Sequence, residues 1–137
     1  MKKQYKNISI VLIVIIFIVW VSWNFRKANQ FQNAQKILTN GLIQDCYYGG
    51  RGNAGRTFID FKFVLNGVQI KGSSVILTSE IPTEDLKNFF TGKAFPVLYD
   101  PKQPTNSTML IIPKDFNRYN YSFPDSLQWV YNYMANR

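Results

Sequence analysis

The sequence predicts a mainly β fold. It reads as an N-terminal transmembrane helix followed by a small five-stranded antiparallel barrel, OB- or SH3-like, with one short helix and a C-terminal helix. Three observations predict it. Ile8–Trp23 is an uncharged apolar run with lysines before it and Arg26 and Lys27 after it. Thr57–Leu65 alternates side-chain character with period two and stops at Asn66-Gly67, a strong hairpin signal because a type I′ turn needs positive φ twice. Helix-start chemistry at Pro82 then falls between a third and a fourth strand, the element order of an OB-fold. The same strands also fit an SH3-like closure.

The apolar run is the anchor. Extended to Phe25 it has 18 residues, roughly 27 Å as a helix against a hydrocarbon core of about 30 Å. Ile and Val are mediocre helix formers in water, but lipid offers the backbone no other partner. Tyr5, Trp20, Trp23 and Phe25 lie near its ends, where amphipathic rings favour the headgroup layer. The run is long and lacks an Ala-x-Ala-like site, which argues against a cleaved signal peptide. Lipid bilayer contact is therefore expected through residues 8–25. Three lysines before the span against Arg26 and Lys27 after it favour a cytoplasmic N-terminus, with the soluble domain outside the cytoplasm.

Composition bounds the rest. The net charge is +8, but residues 1–27 hold five of the 16 cations and no acid. The remainder carries 11 cations against eight acids, which is not the strongly basic balance of a nucleic-acid-binding domain. There is no histidine and a single cysteine, Cys46. That removes histidine-based nucleophile pairs, histidine metal sites, internal disulfides and cysteine clusters. No catalytic residue, cofactor or metal is expected, and the chain reads as a non-enzyme. Cys46 reads as a small buried side chain.

The domain boundaries expected are 1–27 for the anchor, 28–39 for a helical connector, 40–115 for the barrel and 116–137 for an aromatic tail with a C-terminal helix. Phe31, Ala34 and Leu38 have helical spacing, and Thr39-Asn40-Gly41 suits a helix C-terminus. Leu42–Tyr48 is the expected first strand and Gly49–Arg56 a glycine-rich loop. In the second strand Thr57, Ile59, Phe61, Phe63 and Leu65 form the expected core face. Val68–Leu77 is the third strand, where Gly72 suggests a bulge or bend. Pro82–Phe90 is a short helix with Thr83 as a candidate cap and Glu84 and Asp85 at the positive dipole end. Phe95–Tyr99 and Thr108–Ile112 are the last two strands, joined by turn chemistry at Asp100-Pro101. At the C-terminus Leu127, Val130, Tyr131 and Met134 fall on one helix face, with Trp129 and Tyr133 off it. Asp125 or Ser126 is the candidate cap there.

Phe95-Pro96-Val97-Leu98-Tyr99-Asp100-Pro101-Lys102-Gln103-Pro104, closing on Asn106–Leu110, resembles a bacterial signature. It is similar to the V-x-V-x-Y-[DN]-P-x-x-P core of a family of small membrane-anchored β-domains of unknown function. Phe61-x-Phe63, Asn66-Gly67 and Lys71-Gly72-Ser73-Ser74 match the same pattern, and the likeness covers residues 40–112. Phe95 and Leu98 depart from it. The resemblance implies a fold and an address, but no activity, cofactor or catalytic residue.

Two features remain as candidate sites. Arg51 and Arg56 belong to the glycine loop and suit phosphate, carboxylate or headgroup contacts. Trp129 and Tyr133 mark the C-terminal helix as a candidate interaction surface; docking on the barrel is its plainer role. Functionally the sequence fits a single-pass membrane-anchored, non-catalytic protein, an accessory or assembly subunit with a protein partner. A single-stranded nucleic-acid binder built on Tyr47, Tyr48, Phe58, Arg51, Arg56 and Lys62 is the alternative disfavoured by charge. A small immunity or inhibitor protein is a third.

Overall fold

The structure, a computed structural model, describes residues 13–22 and 35–136. The chain divides into two compact units, Met1–Gln35 and Lys36–Arg137. In the first, residues 13–22 are helical and the apolar side chains Ile13–Trp20 are largely exposed. Among the described residues no helix is long and apolar enough to cross a membrane. The expected span 8–25 runs past the described helix at both ends, and residues 28–34 of the expected connector also lie outside the described residues.

The second unit is a five-stranded, nearly closed antiparallel barrel with short helices. Its strands are β1 (Ile37–Tyr48), β2 (Arg56–Leu65), β3 (Val68–Leu77), β4 (Ala94–Asp100) and β5 (Gln103–Met109), in the order β3-β2-β1-β4-β5. Every ladder is antiparallel. The outer edges of β3 and β5 meet through side chains: the Met109 amide donates to Ser74 Oγ at 2.8 Å, and Ser74 Oγ lies 3.3 Å from Thr108 Oγ1. Between β3 and β4, α1 (Thr83–Asp85) runs into a π-helical turn, Leu86–Phe90. After β5 come α2 (Pro113–Arg118), a 3-10 turn (Asp125–Leu127) and α3 (Gln128–Ala135).

β1 explains the architecture. Its first half pairs with β4 (Ile37↔Tyr99) and its second half with β2 (Tyr48↔Thr57). The change of partner falls at Gly41 and Leu42, which pair with both strands, Gly41 with Phe95 and Phe63 and Leu42 with Ala94 and Lys62. A Cβ at Gly41 would sit 2.6 Å from Val97 Cγ2 and 3.1 Å from the Lys62 carbonyl. This corrects the sequence reading. Ile37 to Gly41 are strand, not the end of a helical connector, and Gly41 is a close-approach residue rather than a helix cap.

Other expectations are refined. In β2, Thr57, Ile59, Phe61 and Phe63 are buried as expected, while Leu65 is only half-buried. Gly72 marks no bulge, since the β2–β3 register runs unbroken from Arg56↔Leu77 to Leu65↔Val68; the irregularities lie at Ile43/Asp45 and Tyr99/Asp100. β5 begins at Gln103, five residues before Thr108, and Leu110 to Ile112 are buried but outside the strand. Thr83 does not cap α1; its hydroxyl meets Thr57 Oγ1 at 2.6 Å. Neither Asp125 nor Ser126 supplies a side-chain cap to the C-terminal turns. Tyr99 packs against Phe63 at the barrel end, 5.5 Å between centroids, and Asp100 Oδ1 accepts the Lys102 amide at 2.8 Å to turn the chain.

The residues after β5 belong to the same core. Val97, Leu98 and Tyr99 are consecutive and all buried, so both faces of β4 are covered. Leu110, Ile111, Ile112, Phe116, Leu127 and Val130 join that cluster. Each such side chain contributes about 1.5–3 kcal/mol when removed from water. Asp115 ties the crossing segment down, its Oδ2 accepting the amides of Ile111 at 3.0 Å and Ile112 at 3.1 Å.

Candidate functional site

The outer face of β1, β2 and β3 gathers the exposed chemistry. Strand side chains alternate in direction, so Arg56, Phe58, Asp60 and Lys62 share the outward face of β2 while their neighbours fill the core. The register aligns them in rows across the sheet. Tyr47, Phe58 and Val75 form one row, Asp45, Asp60 and Ser73 the next, and Leu42, Lys62 and Lys71 the third.

The first row is apolar and open to solvent. The rings of Tyr47 and Phe58 stack at 5.6 Å with 11° between their planes. Tyr47 is 45% and Val75 50% exposed, and Leu77, opposite Arg56, is also exposed. Cross-strand aromatic pairs stabilise a sheet by a few tenths to about 1 kcal/mol, so the exposure is not explained by packing alone. The second row places two carboxylates opposite each other, an arrangement that repels. With Gln44, Lys71, Ser73 and Thr105 these acids line a cleft of about 500 Å³. Asp45 Oδ1 accepts the Cys46 amide at 2.8 Å.

Arg51 and Arg56 stay apart. Arg51 is exposed at the tip of the loop, whereas Arg56 is the first residue of β2, on the same face as Phe58. The loop is ordered by its own bonds: the Gly49 amide donates to the Arg56 carbonyl at 2.7 Å, and the Gly55 amide donates to the Tyr48 hydroxyl at 3.0 Å. Gly52 and Gly55 have φ of 90° and 79°, values that favour glycine. Tyr48 therefore serves the loop and does not join the Tyr47–Phe58 pair. Lys62 lies two rows away, beyond Asp60.

Trp129 and Tyr133 face inward more than the sequence suggests. The Trp129 ring lies 5.1 Å from Phe90 and 6.0 Å from Phe95, with Lys93 Nζ 4.9 Å from its centroid. Tyr133 packs on Phe89 and Phe90, and its hydroxyl donates to Asp85. Tyr131, expected on the buried stripe, is exposed. Beside α3 a smaller cleft of about 360 Å³ is lined by Glu80, Ile112, Lys114, Tyr131 and Met134, with Lys114 paired to Glu80 at 2.8 Å.

Cys46 is buried, and that burial pushes its thiol up to about 11, with the carboxylates of Asp45 and Asp60 adding to the shift and a hydrogen bond to Thr91 opposing it. A thiol so far from thiolate is a poor nucleophile near neutral pH. Among the described residues no set of three or more acids or cysteines is placed to hold a metal ion. The sequence reading missed Val75 and the facing acids, because register across strands is invisible to a single strand's pattern. No family model, no curated protein and no solved structure matches this chain.

Proposed function

We propose that the chain is a single-pass membrane-anchored, non-catalytic binding protein whose barrel engages a protein partner through the outer face of β1, β2 and β3. The observation that carries this reading is the exposed row Tyr47, Phe58 and Val75, continued by Leu77 and bordered by Arg56 and Asp60. An apolar centre with a charged border is the anatomy of a protein interface. The 8–25 segment supplies the bilayer anchor, and the domain lies on the extracytoplasmic side. The strand order, with the helical turn between β3 and β4, favours an OB-like barrel over an SH3-like one. Membership of the Tyr-Asp-Pro signature family belongs to the same reading and rests on Phe95–Pro104.

The test uses the full chain in native membranes, with a photo-crosslinking residue at Val75 and, as control, at Ser122. One dominant protein adduct is expected at Val75 and not at Ser122. The pair Tyr47→Ser and Phe58→Ser should abolish it while the barrel stays folded, at a stability cost of about 1 kcal/mol for the lost ring pair. Repeated absence of an adduct, or an adduct indifferent to those substitutions, overturns the reading.

A second reading has one observation in its favour. OB-like barrels bind single strands on this face and on the β1–β2 loop, where this chain places a stacked aromatic pair, Arg51 and Arg56. Against it, Asp45 and Asp60 occupy the row beside the aromatics, where phosphates would pass. Salt-dependent binding of a single-stranded oligonucleotide, weakened by Arg51→Ala with Arg56→Ala, supports it. No binding at low salt ends it.

A further inference from the structure

We infer that the end of the barrel bearing the β2–β3 hairpin tip and the β4–β5 turn rests on the lipid surface, an inference that depends on the anchor reading of residues 8–25. The argument begins with register. β1 starts at Ile37, opposite Tyr99. Gly41 is opposite Phe63, so the residues of β2 beyond Phe63 run toward the start of β1. The Asn66-Gly67 tip, the Asp100-to-Gln103 turn and the first residue of β1 therefore share one end of the barrel. β1, the first strand of the barrel, thus begins at this end. The glycine loop lies at the other end, where the Thr78 amide donates to the Gly55 carbonyl at 2.9 Å.

The side chains at the hairpin end suit a headgroup layer. Val64 and Val68, either side of the tip, are 60% and 63% exposed, and Ile37 and Leu38, at the start of β1 opposite β4, are also exposed. Just behind the tip Lys62 and Lys71 are direct cross-strand partners. Like charges so placed repel, and an anionic surface offsets that repulsion. Lys102 is exposed on the adjoining turn. The acid on that turn, Asp100, accepts the Lys102 amide, while Asp60 stands one row farther from the tip than Lys62. Small apolar tips backed by lysine are the chemistry of shallow interfacial binding, in which valines enter the acyl boundary and lysines meet phosphates.

The test places the full chain in vesicles containing phosphatidylglycerol and a lipid-borne nitroxide quencher. An environment-sensitive fluorophore is attached at Val68→Cys, at Gly50→Cys in the opposite loop, or at Ile15→Cys within the apolar segment. Cys46, being buried, stays unlabelled. A blue shift and severalfold greater quenching at position 68 than at 50 is expected. Lys62→Gln with Lys71→Gln should reduce the quenching at 68 in anionic vesicles and leave it unchanged in purely zwitterionic ones. Equal signals at 68 and 50 overturn the inference, as does quenching at 68 that ignores the lysine changes. If position 15 is quenched and 68 is not, this inference alone fails. If position 15 is also unquenched, the anchor reading fails with it.

Discussion

The ring of Phe61 fills the space that a side chain at Gly72 would need. The two residues are direct cross-strand partners, and a Cβ at position 72 would lie 2.5 Å from Phe61 Cζ and 2.6 Å from Ser107 Oγ. The wall of the barrel is thus closed at β3 by an aromatic ring lying over a glycine. Gly72→Ala should cost about 1–3 kcal/mol through overpacking, read as a lowered urea midpoint. Phe61→Leu frees part of that space, so the double variant should lose less than the sum of the two single losses. Additive losses would mean that the ring and the glycine do not compete for one space.

Asp115 is held in place by two amides and resisted by its own burial. Burial pushes its carboxyl above the ordinary range, against the pull of the Ile111 and Ile112 amides. Asp115→Ala leaves both amides without that acceptor and should cost about 1–3 kcal/mol. Asp115→Asn retains an acceptor oxygen and no charge. Because the raised group binds its proton more tightly when folded, its contribution to stability is present at acid pH and is lost as pH rises through its folded value. The Asn variant should therefore compare best with the parent at neutral pH and lose ground as pH falls. A stability difference flat across the acid range would show that Asp115 titrates normally.

How much of this was legible depended on whether each residue answers to its own strand or to a distant one. Thr57 to Phe63 alternate because one face meets the core along the whole strand, so the pattern survives in sequence. Asn66-Gly67 and Asp100-Pro101 were legible for the same local reason. Gly41 was not, because its use is to let Val97 approach across the sheet, and a Thr-Asn-Gly triplet looks like a helix end. Apart from Pro104, Gln103 to Thr108 are polar residues beside the β3–β5 seam, so they show no apolar period and the sequence pattern predicts a strand only from Thr108. Leu110 to Ile112 look like a strand because they are apolar, but they are buried beyond its end. In the C-terminal segment the 3-10 turn Asp125–Leu127 precedes α3. Leu127 is therefore outside the helical count, and the stripe drawn through it pointed to Tyr131 in place of Trp129 and Tyr133. Of the candidate site, the aromatic and basic residues were legible singly; their rows required the register.

Tyr133 fastens α3 to α1 through Asp85, and Trp129 fastens it to Phe90 and Phe95. Tyr133→Phe keeps the ring contacts and removes the hydroxyl, so it should cost about 1 kcal/mol. Trp129→Ala removes the larger contact of a ring that is 37% exposed and should cost about 1–3 kcal/mol, below the loss for a fully buried Trp. Amide exchange in residues 128–135 should rise in both variants, more in Trp129→Ala. Unchanged protection would mean that the helix is held by Leu127 and Val130 alone.

Topology is decided at Gly50, which is exposed and where a Cβ meets nothing within 4 Å. Gly50→Cys, with the buried Cys46 left in place, should label with a membrane-impermeant maleimide in intact cells. That outcome puts the barrel outside the cytoplasm, sets aside the nucleic-acid reading and directs crosslinking to envelope proteins. Labelling only after lysis would put it inside and show that Arg26 and Lys27 outweigh the three lysines before the span.

Cys46 contributes to the loss of stability at alkaline pH. Burial raises its thiol from 9.0 to about 11, so above pH 9 the unfolded chain loses this proton before the folded one does. The unfolded state then binds fewer protons, and stability must fall as pH rises. The contribution is fully present below pH 9 and is lost progressively between 9.0 and about 11. Other groups titrate in the same range, so the informative quantity is the difference between the parent and Cys46→Ala, which has nothing to ionise at that site. The alanine variant should be the less stable protein near neutral pH, where it forfeits the packing of the sulfur, and the gap should narrow as pH approaches 11. Denaturant midpoints of both proteins across that range measure it. A gap that holds constant would mean that the thiol titrates alike in both states and that Asp45, Asp60 and burial do not disfavour its anion.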